Sequence, residues 1–214
     1  MNSRSLFLLC AALTAGSTSA QVATVTLNGP WVHTPIEKPE GQWMIVERAC
    51  EPNLPSNHMS QFQTSFVNMP AGSYSISFDS WFEKPIRGDL GREEFFFQAG
   101  NGNSAPLWQQ QYGMPNVWSH VSNTFTVADG TWNGNFGFVV QVWGGQSQPS
   151  HYRYHTDNFC VSNLVTGAVI FKDDFEGYTA GNPPTSRWST RGPCEYDVWT
   201  IIRYFFPNTR LLLR

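Results

Sequence analysis

The stretch Pro70-Ala-Gly-Ser-Tyr-Ser-Ile-Ser-Phe-Asp79 opens on turn residues and then alternates. Tyr74, Ile76 and Phe78 are apolar, while Ser75, Ser77 and Asp79 between them are polar. Successive side chains of a strand point to opposite faces, so this is a half-buried β-strand with one face on a core. The same pattern recurs outward from it. Glu94-Phe-Phe-Phe-Gln98 is stopped by Gly100-Asn-Gly-Asn103, and residues 121–127 are stopped by Ala128-Asp-Gly130. Phe136, Phe138, Val140 and Val142 alternate with Gly137, Val139, Gln141 and Trp143 before Gly144-Gly145, and a last strand holds Phe159 and Val161. Short strands with Gly/Pro punctuation and no helical periodicity predict an all-β fold, an antiparallel two-sheet β-sandwich of jelly-roll type.

Face assignment carries the reading toward function. With Tyr74, Ile76 and Phe78 inward, Asp79, Trp81 and Glu83 share the other face of their strand. With Phe136 to Val142 inward at every second position, Gln141 and Trp143 lie outward. Indole rings stack on the flat C–H faces of sugars while carboxylates and amides hydrogen-bond their hydroxyls, so Trp81 and Trp143 are expected to form a sugar platform with Asp79, Glu83 and Gln141 as polar partners. Trp108, Trp118 and Trp132 sit near turn residues and read as loop packing. His151 and His155 share a strand face, but with no third ligand near them they read as exposed polar residues.

Composition narrows the classes. The chain has 214 residues with 14% charged and 15% aromatic side chains, 9 Trp, 18 Gly and 14 Pro, which excludes a disordered chain and a helical bundle. A formal net charge of −3 gives no footprint for a phosphate backbone, so nucleic acid is not an expected partner. Met-Asn-Ser-Arg-Ser followed by an apolar run over 6–15 and the small residues Gly16-Ser-Thr-Ser-Ala20 reads as a secretory signal peptide. The run is too short to span a bilayer, and the apolar tail from Ile201 is broken by Pro207 and three arginines, so no membrane span is expected. Removing residues 1–20 leaves roughly 190 residues, room for one ordinary domain and a fragment. It also removes Cys10, leaving Cys50, Cys160 and Cys194 in an oxidising compartment. Cys50 and Cys160 lie on the opening and closing segments and are expected to pair, with Cys194 the orphan.

Two stretches resemble a known family. Pro70-Ala-Gly-Ser-Tyr-Ser-Ile-Ser-Phe78 is similar to the "aGxYxxsF" strand of CenC-type carbohydrate-binding modules, and Tyr154-His-Thr-Asp-Asn-Phe-Cys-Val-Ser162 to their closing "xDNVxv" strand. Leu27-Asn-Gly-Pro-Trp31 followed by Trp43 resembles their opening. The resemblance spans about residues 22–165 and implies a galactose-binding-like jelly roll that binds polysaccharide in a groove on its concave sheet, as an accessory of secreted glycoside hydrolases. In that family the Asp matching Asp157 helps hold a structural calcium, but here Pro30 and Trp31 replace the acidic partner near the opening strand.

The pattern of the opening then recurs. Asn28 to Trp43 is fifteen positions and Asp174 to Trp188 fourteen; Trp43 to Cys50 is seven and Trp188 to Cys194 six, and Glu follows both cysteines. Residues 166–214 therefore read as the start of a second, truncated module, or as a C-terminal extension packed on the module of residues 21–165.

No nucleophile elbow, zinc motif, Walker loop or dinucleotide fingerprint is present. Asp79 and Glu83 are about 13 Å apart along one strand, too far for a glycosidase pair, and Glu93 and Glu94 point to opposite faces. A catalytic role is thus the less favoured reading. The expectation is a secreted, non-catalytic module that binds a polysaccharide or oligosaccharide. The alternatives are an extracellular adhesion or matrix module, suggested by Arg87-Gly-Asp89, and a β-sandwich polysaccharide lyase or hydrolase using carboxyls from different strands.

Overall fold

The computed structural model describes residues 23–50, 58–65, 67–87, 90–99, 107–111, 116–142, 150–191 and 196–203. The expected signal peptide, Trp143, Cys194, and Gly88 with Asp89 of the Arg-Gly-Asp sequence lie outside these residues. Among them there are twelve strands and no helix. In chain order they are β1 (Thr24–Leu27), β2 (Val32–Pro35), β3 (Gln42–Cys50), β4 (His58–Thr64), β5 (Val67–Arg87) and β6 (Leu90–Ala99). There follow β7 (Leu107–Gln111), β8 (Ser119–Val142), β9 (Ser150–Asn163), β10 (Val169–Asp173), β11 (Trp188–Arg191) and β12 (Tyr196–Arg203).

Every pairing is antiparallel, and the main path across the sheet runs β11-β4-β8-β5-β9-β3-β12. Laid flat, seven strands would hold the two edges about 29 Å apart. Yet β11 and β12 are consecutive in the chain, and the five Cα steps from Arg191 to Tyr196 reach at most about 18 Å. The sheet must therefore curl until its edges approach each other. The long strand β8 makes the curl. Its first half pairs with β5, β1 and β2, and its second half with β4 and β6. All-β and antiparallel are as expected, but the two sheets of the expected sandwich are one continuous sheet whose two walls face each other, an arrangement consistent with a β-sandwich.

The walls meet through rings. Phe78 on β5 lies 5.0 Å from Phe138 on β8, 6.0 Å from Phe95 on β6 and 5.5 Å from Phe159 on β9, the first of these edge-on. Tyr74, Ile76, Phe78, Phe136 and Phe138 are all buried, as their alternation required. At Gly137 a Cβ would lie 1.9 Å from the Phe62 carbonyl oxygen, so the approach of β4 to β8 needs glycine there.

Two bulges set the geometry. The Ala128-Asp-Gly130 turn signal does not end a strand. Register passes from Gly72 opposite Val127 to Pro70 opposite Thr131, with Asp129 and Gly130 at φ 60 and 117°, so the signal is a bulge at which β8 bends. The second lies at Asn158, φ 50°. Ser77 faces Cys160 but Asp79 faces Asp157, so three residues of β9 span two of β5. The extra residue reverses parity. Before it Tyr154 and Thr156 face the core; after it Phe159 and Val161 do.

Residues 166–203 belong to the same body. β10 pairs with β9, β11 with β4 and β12 with β3, while Phe171, Phe175, Trp188 and Ile201 join the one core cluster. The described residues of this stretch thus share one sheet and one core with those before it. Its organiser is Asp173, buried, whose Oδ1 accepts the Phe175 N–H at 3.0 Å. Oδ2 of the same carboxylate accepts the Tyr178 hydroxyl at 2.7 Å and the Trp188 indole N–H at 2.8 Å. Burial and the Asp173 carboxylate push the Tyr178 phenol up to about 12, so it remains a donor. Trp188 then stacks on Phe62 at 4.5 Å, tying the extension to β4.

The expected bridge between Cys50 and Cys160 is not formed. Cys160 is a free thiol, and Cys50 faces Ser150, ten positions along β9 from Cys160. That is about 33 Å of strand, against the ~5.5 Å between Cα atoms that a disulfide needs.

Candidate functional site

On the outer face of β5 and β9 the cross-strand pairs bring together residues far apart in sequence. Trp81 lies opposite His155 and Glu83 opposite Arg153, while Asp79 lies between His120 of β8 and Asp157 of β9. The Trp81 ring is partly exposed and stacks on the His155 imidazole at 4.5 Å and 16°. Trp118 stands 6.1 Å from Trp81 and 5.8 Å from Trp43, at the edge of the same group. Lys38, from the segment joining β2 and β3, places its ammonium 4.6 Å from the centre of the Trp43 ring.

His155 is the hub. Trp43 Nε1 lies 3.1 Å from its Nδ1, and an indole N–H can only donate, so Nδ1 must carry the lone pair. The proton is then on Nε2, which donates to Glu83 Oε1 at 3.0 Å. Burial is the largest influence on this imidazole and holds it below its ordinary value, against the opposing pull of Glu83. The charges of Arg153 and Lys38 lower it further. His155 is therefore a neutral, oriented plate beneath Trp81, and the expectation that it is an exposed polar residue is wrong.

The carboxylates of this face are occupied. Glu83 gives its second oxygen to Arg153 Nη1 at 3.6 Å. Asp79 Oδ1 holds His120 Nδ1 at 2.8 Å, and its Oδ2 accepts from Asn158 Nδ2 at 2.8 Å. Asp157, buried, accepts the Asn158 backbone N–H at 2.7 Å. Burial, together with the negative charges of Asp79, Glu176 and Asp174, pushes its carboxyl up to about 8.

Of the expected site residues, Asp79, Trp81 and Glu83 do share one face. Gln141 does not join them. It faces Met59 of β4 and Arg92 of β6, on the wall across the core from β5. Trp43, Trp118, His155, Arg153 and Lys38 were not legible as site residues, because only the register across β5, β9 and β3 assembles them. Trp118 packs against the Trp43, Trp81 and His155 rings, whereas Trp132 is core. Among the described residues no three His, Cys, Asp or Glu side chains gather as metal ligands. A calcium ion takes six to eight oxygens, and Asp157 beside an Asp79 whose oxygens are both taken does not fit that need. Among the described residues no helix is long and apolar enough to cross a membrane.

No family model, curated protein or solved structure matches this chain.

Proposed function

We propose that this chain is a secreted, non-catalytic carbohydrate-binding module of CenC-like type whose polysaccharide ligand stacks on Trp81. The observation that carries the reading is the supported, half-exposed indole. Trp81 rests on His155, which is fixed on both ring nitrogens by Trp43 and Glu83, so the ring is held in place before a ligand arrives. Around it lie His120, Glu83 and Arg153, polar groups of the kind that orient sugar hydroxyls. Secretion rests on the N-terminal sequence, and the accessory role in a larger enzyme on the family resemblance.

Affinity electrophoresis of the full chain in gels containing soluble β-glucan, xylan or pectate tests it. Trp81→Ala is expected to weaken binding by ~1–3 kcal/mol, the scale of a buried apolar contact, with melting behaviour retained. Retardation of wild type that is unchanged in this variant would place the ligand elsewhere. One observation favours a second reading, an adhesion module with a protein partner. The turn between β9 and β10 exposes Leu164, Val165 and Val169, with Val165 85% accessible.

A further inference from the structure

The turn between β9 and β10 is held by its own hydrogen bonds. Asn163 Oδ1 accepts the backbone N–H groups of Val165 and Thr166, each at 2.9 Å. The Gly167 N–H donates to the Asn163 carbonyl at 2.9 Å, the Ala168 N–H to Thr166 Oγ1 at 3.2 Å, and the Leu164 N–H to the Ser73 carbonyl of β5 at 2.9 Å. With the Asn163 N–H given to the Ala168 carbonyl, every backbone N–H from Asn163 to Ala168 is donated within the protein. The same turn sends aliphatic side chains outward, where turns ordinarily carry polar ones. Leu164 is 51%, Val165 85% and Val169 58% accessible. The exposed residues on the neighbouring ends of β5 and the β8 bulge, Pro70, Ala71, Gly130 and Thr131, are uncharged, and Asp129 among them is acidic. Lys172, further along β10, is paired with Asp174 at 3.5 Å.

We infer that this turn is a membrane-contacting tip, which seats Leu164, Val165 and Val169 among the lipids of a zwitterionic bilayer surface without spanning it. Hydrocarbon holds no water to satisfy a bare N–H, and this turn brings none from Asn163 to Ala168. The exposed charge beside the turn is Asp129 and the chain carries a formal net charge of −3, so headgroup attraction does not drive the contact; apolar transfer does. A contact of three aliphatic side chains is reversible. A protein partner, as in the second reading above, or a second copy of this chain would need about 800 Å² per partner for a stable interface, and three side chains on one turn supply only part of that. The tip also lies apart from the indole platform. Ser73, whose carbonyl holds the turn, precedes Trp81 by eight positions on β5, about 27 Å. The two sites are thus separate, and the inference stands whether or not the Trp81 face binds a saccharide.

The test is flotation of the full chain with vesicles of phosphatidylcholine alone and of phosphatidylcholine mixed with phosphatidylglycerol, at low and high salt. The expected result is co-flotation with phosphatidylcholine that added phosphatidylglycerol does not strengthen and salt does not weaken. Val165→Asp should lower the partitioning at least about tenfold and Leu164→Ser severalfold, both at exposed positions where the fold is indifferent to the change. Val32→Asp, which charges an exposed valine of β2 instead, should leave it unchanged. Wild type that stays in the soluble fraction would overturn the bilayer contact and leave a protein pocket as the occupant of the turn. Flotation that requires phosphatidylglycerol, that survives Val165→Asp, or that is lost equally in Val32→Asp would overturn the aliphatic tip.

Discussion

Replacing Asp157 with asparagine gives a quantitative test of the buried face. The wild-type carboxyl has an ordinary value near 3.8 and is pushed up to about 8 in the folded protein, where burial and three neighbouring carboxylates oppose its charge. Between those limits the folded state holds a proton that the unfolded chain has lost. Stability is therefore greatest below pH 3.8 and falls by about 1.4 kcal/mol per pH unit until the folded group itself ionises. From pH 5 to pH 8 the wild type should lose about 4 kcal/mol through this one residue. The amide of the Asp157→Asn variant would not titrate, and its oxygen can still accept the Asn158 N–H. Its second amide proton, buried without an acceptor, costs about 1–3 kcal/mol at every pH. Urea unfolding of wild type and Asp157→Asn at pH 5, 6.5 and 8 should show near-equal stability at the lowest value and a variant more stable by about 2–4 kcal/mol at the highest. Parallel stability curves would refute the reasoning, and would mean that Asp157 is solvated or held as an anion.

Asp173→Ala removes the acceptor of three donors at once and should cost about 3–5 kcal/mol, seen as a lower midpoint of one cooperative unfolding transition; two separate transitions would mean that residues 166–203 fold apart. Chain truncated after residue 165 should fail to fold, because it loses Phe171, Phe175, Trp188 and Ile201 from the core and bares β3 and β4; a cooperative melt of that fragment would contradict the shared core. Trp43→Phe should let His155 titrate closer to its ordinary 6.5, since protonating Nδ1 no longer breaks an indole hydrogen bond, and an NMR titration of the imidazole reads this directly. In wild type the depressed imidazole adds stability that is present above pH 6.5 and is lost as pH falls below it.

The parts of the fold that depend on local alternation were legible in the sequence. Tyr74, Ile76 and Phe78 went to the core, and Asp79, Trp81 and Glu83 went together to the other face, because parity along one strand needs nothing but the strand. Relations between strands were not. The Asp129-Gly130 signal is the same whether it ends a strand or bends one, and only pairing with Pro70 and Gly72 separates the cases. Asn158 reverses the parity of β9, so His155 and Phe159, both at odd positions, lie on opposite faces; alternation read back from Phe159 and Val161 puts His155 on the wrong one. Alternation alone puts Gln141 with Trp81 because inward and outward are defined within a strand, whereas the curl puts its half of β8 on the opposite wall. The likeness between the stretches from Asn28 and from Asp174 is present in the sequence, but it did not disclose that the second stretch completes the sheet begun by the first.

That completion has a consequence for biosynthesis. Thr64 finds its β11 partner at Trp188, and Ala49 its β12 partner at Tyr196. At roughly 5–20 residues per second, an emerging chain would carry β3 and β4 as bare edges for about six to thirty seconds before their mates exist. Both would be open to pairing with another nascent copy throughout that interval. Ribosome density and chaperone supply, more than the equilibrium stability of the finished molecule, would then govern the yield of soluble protein.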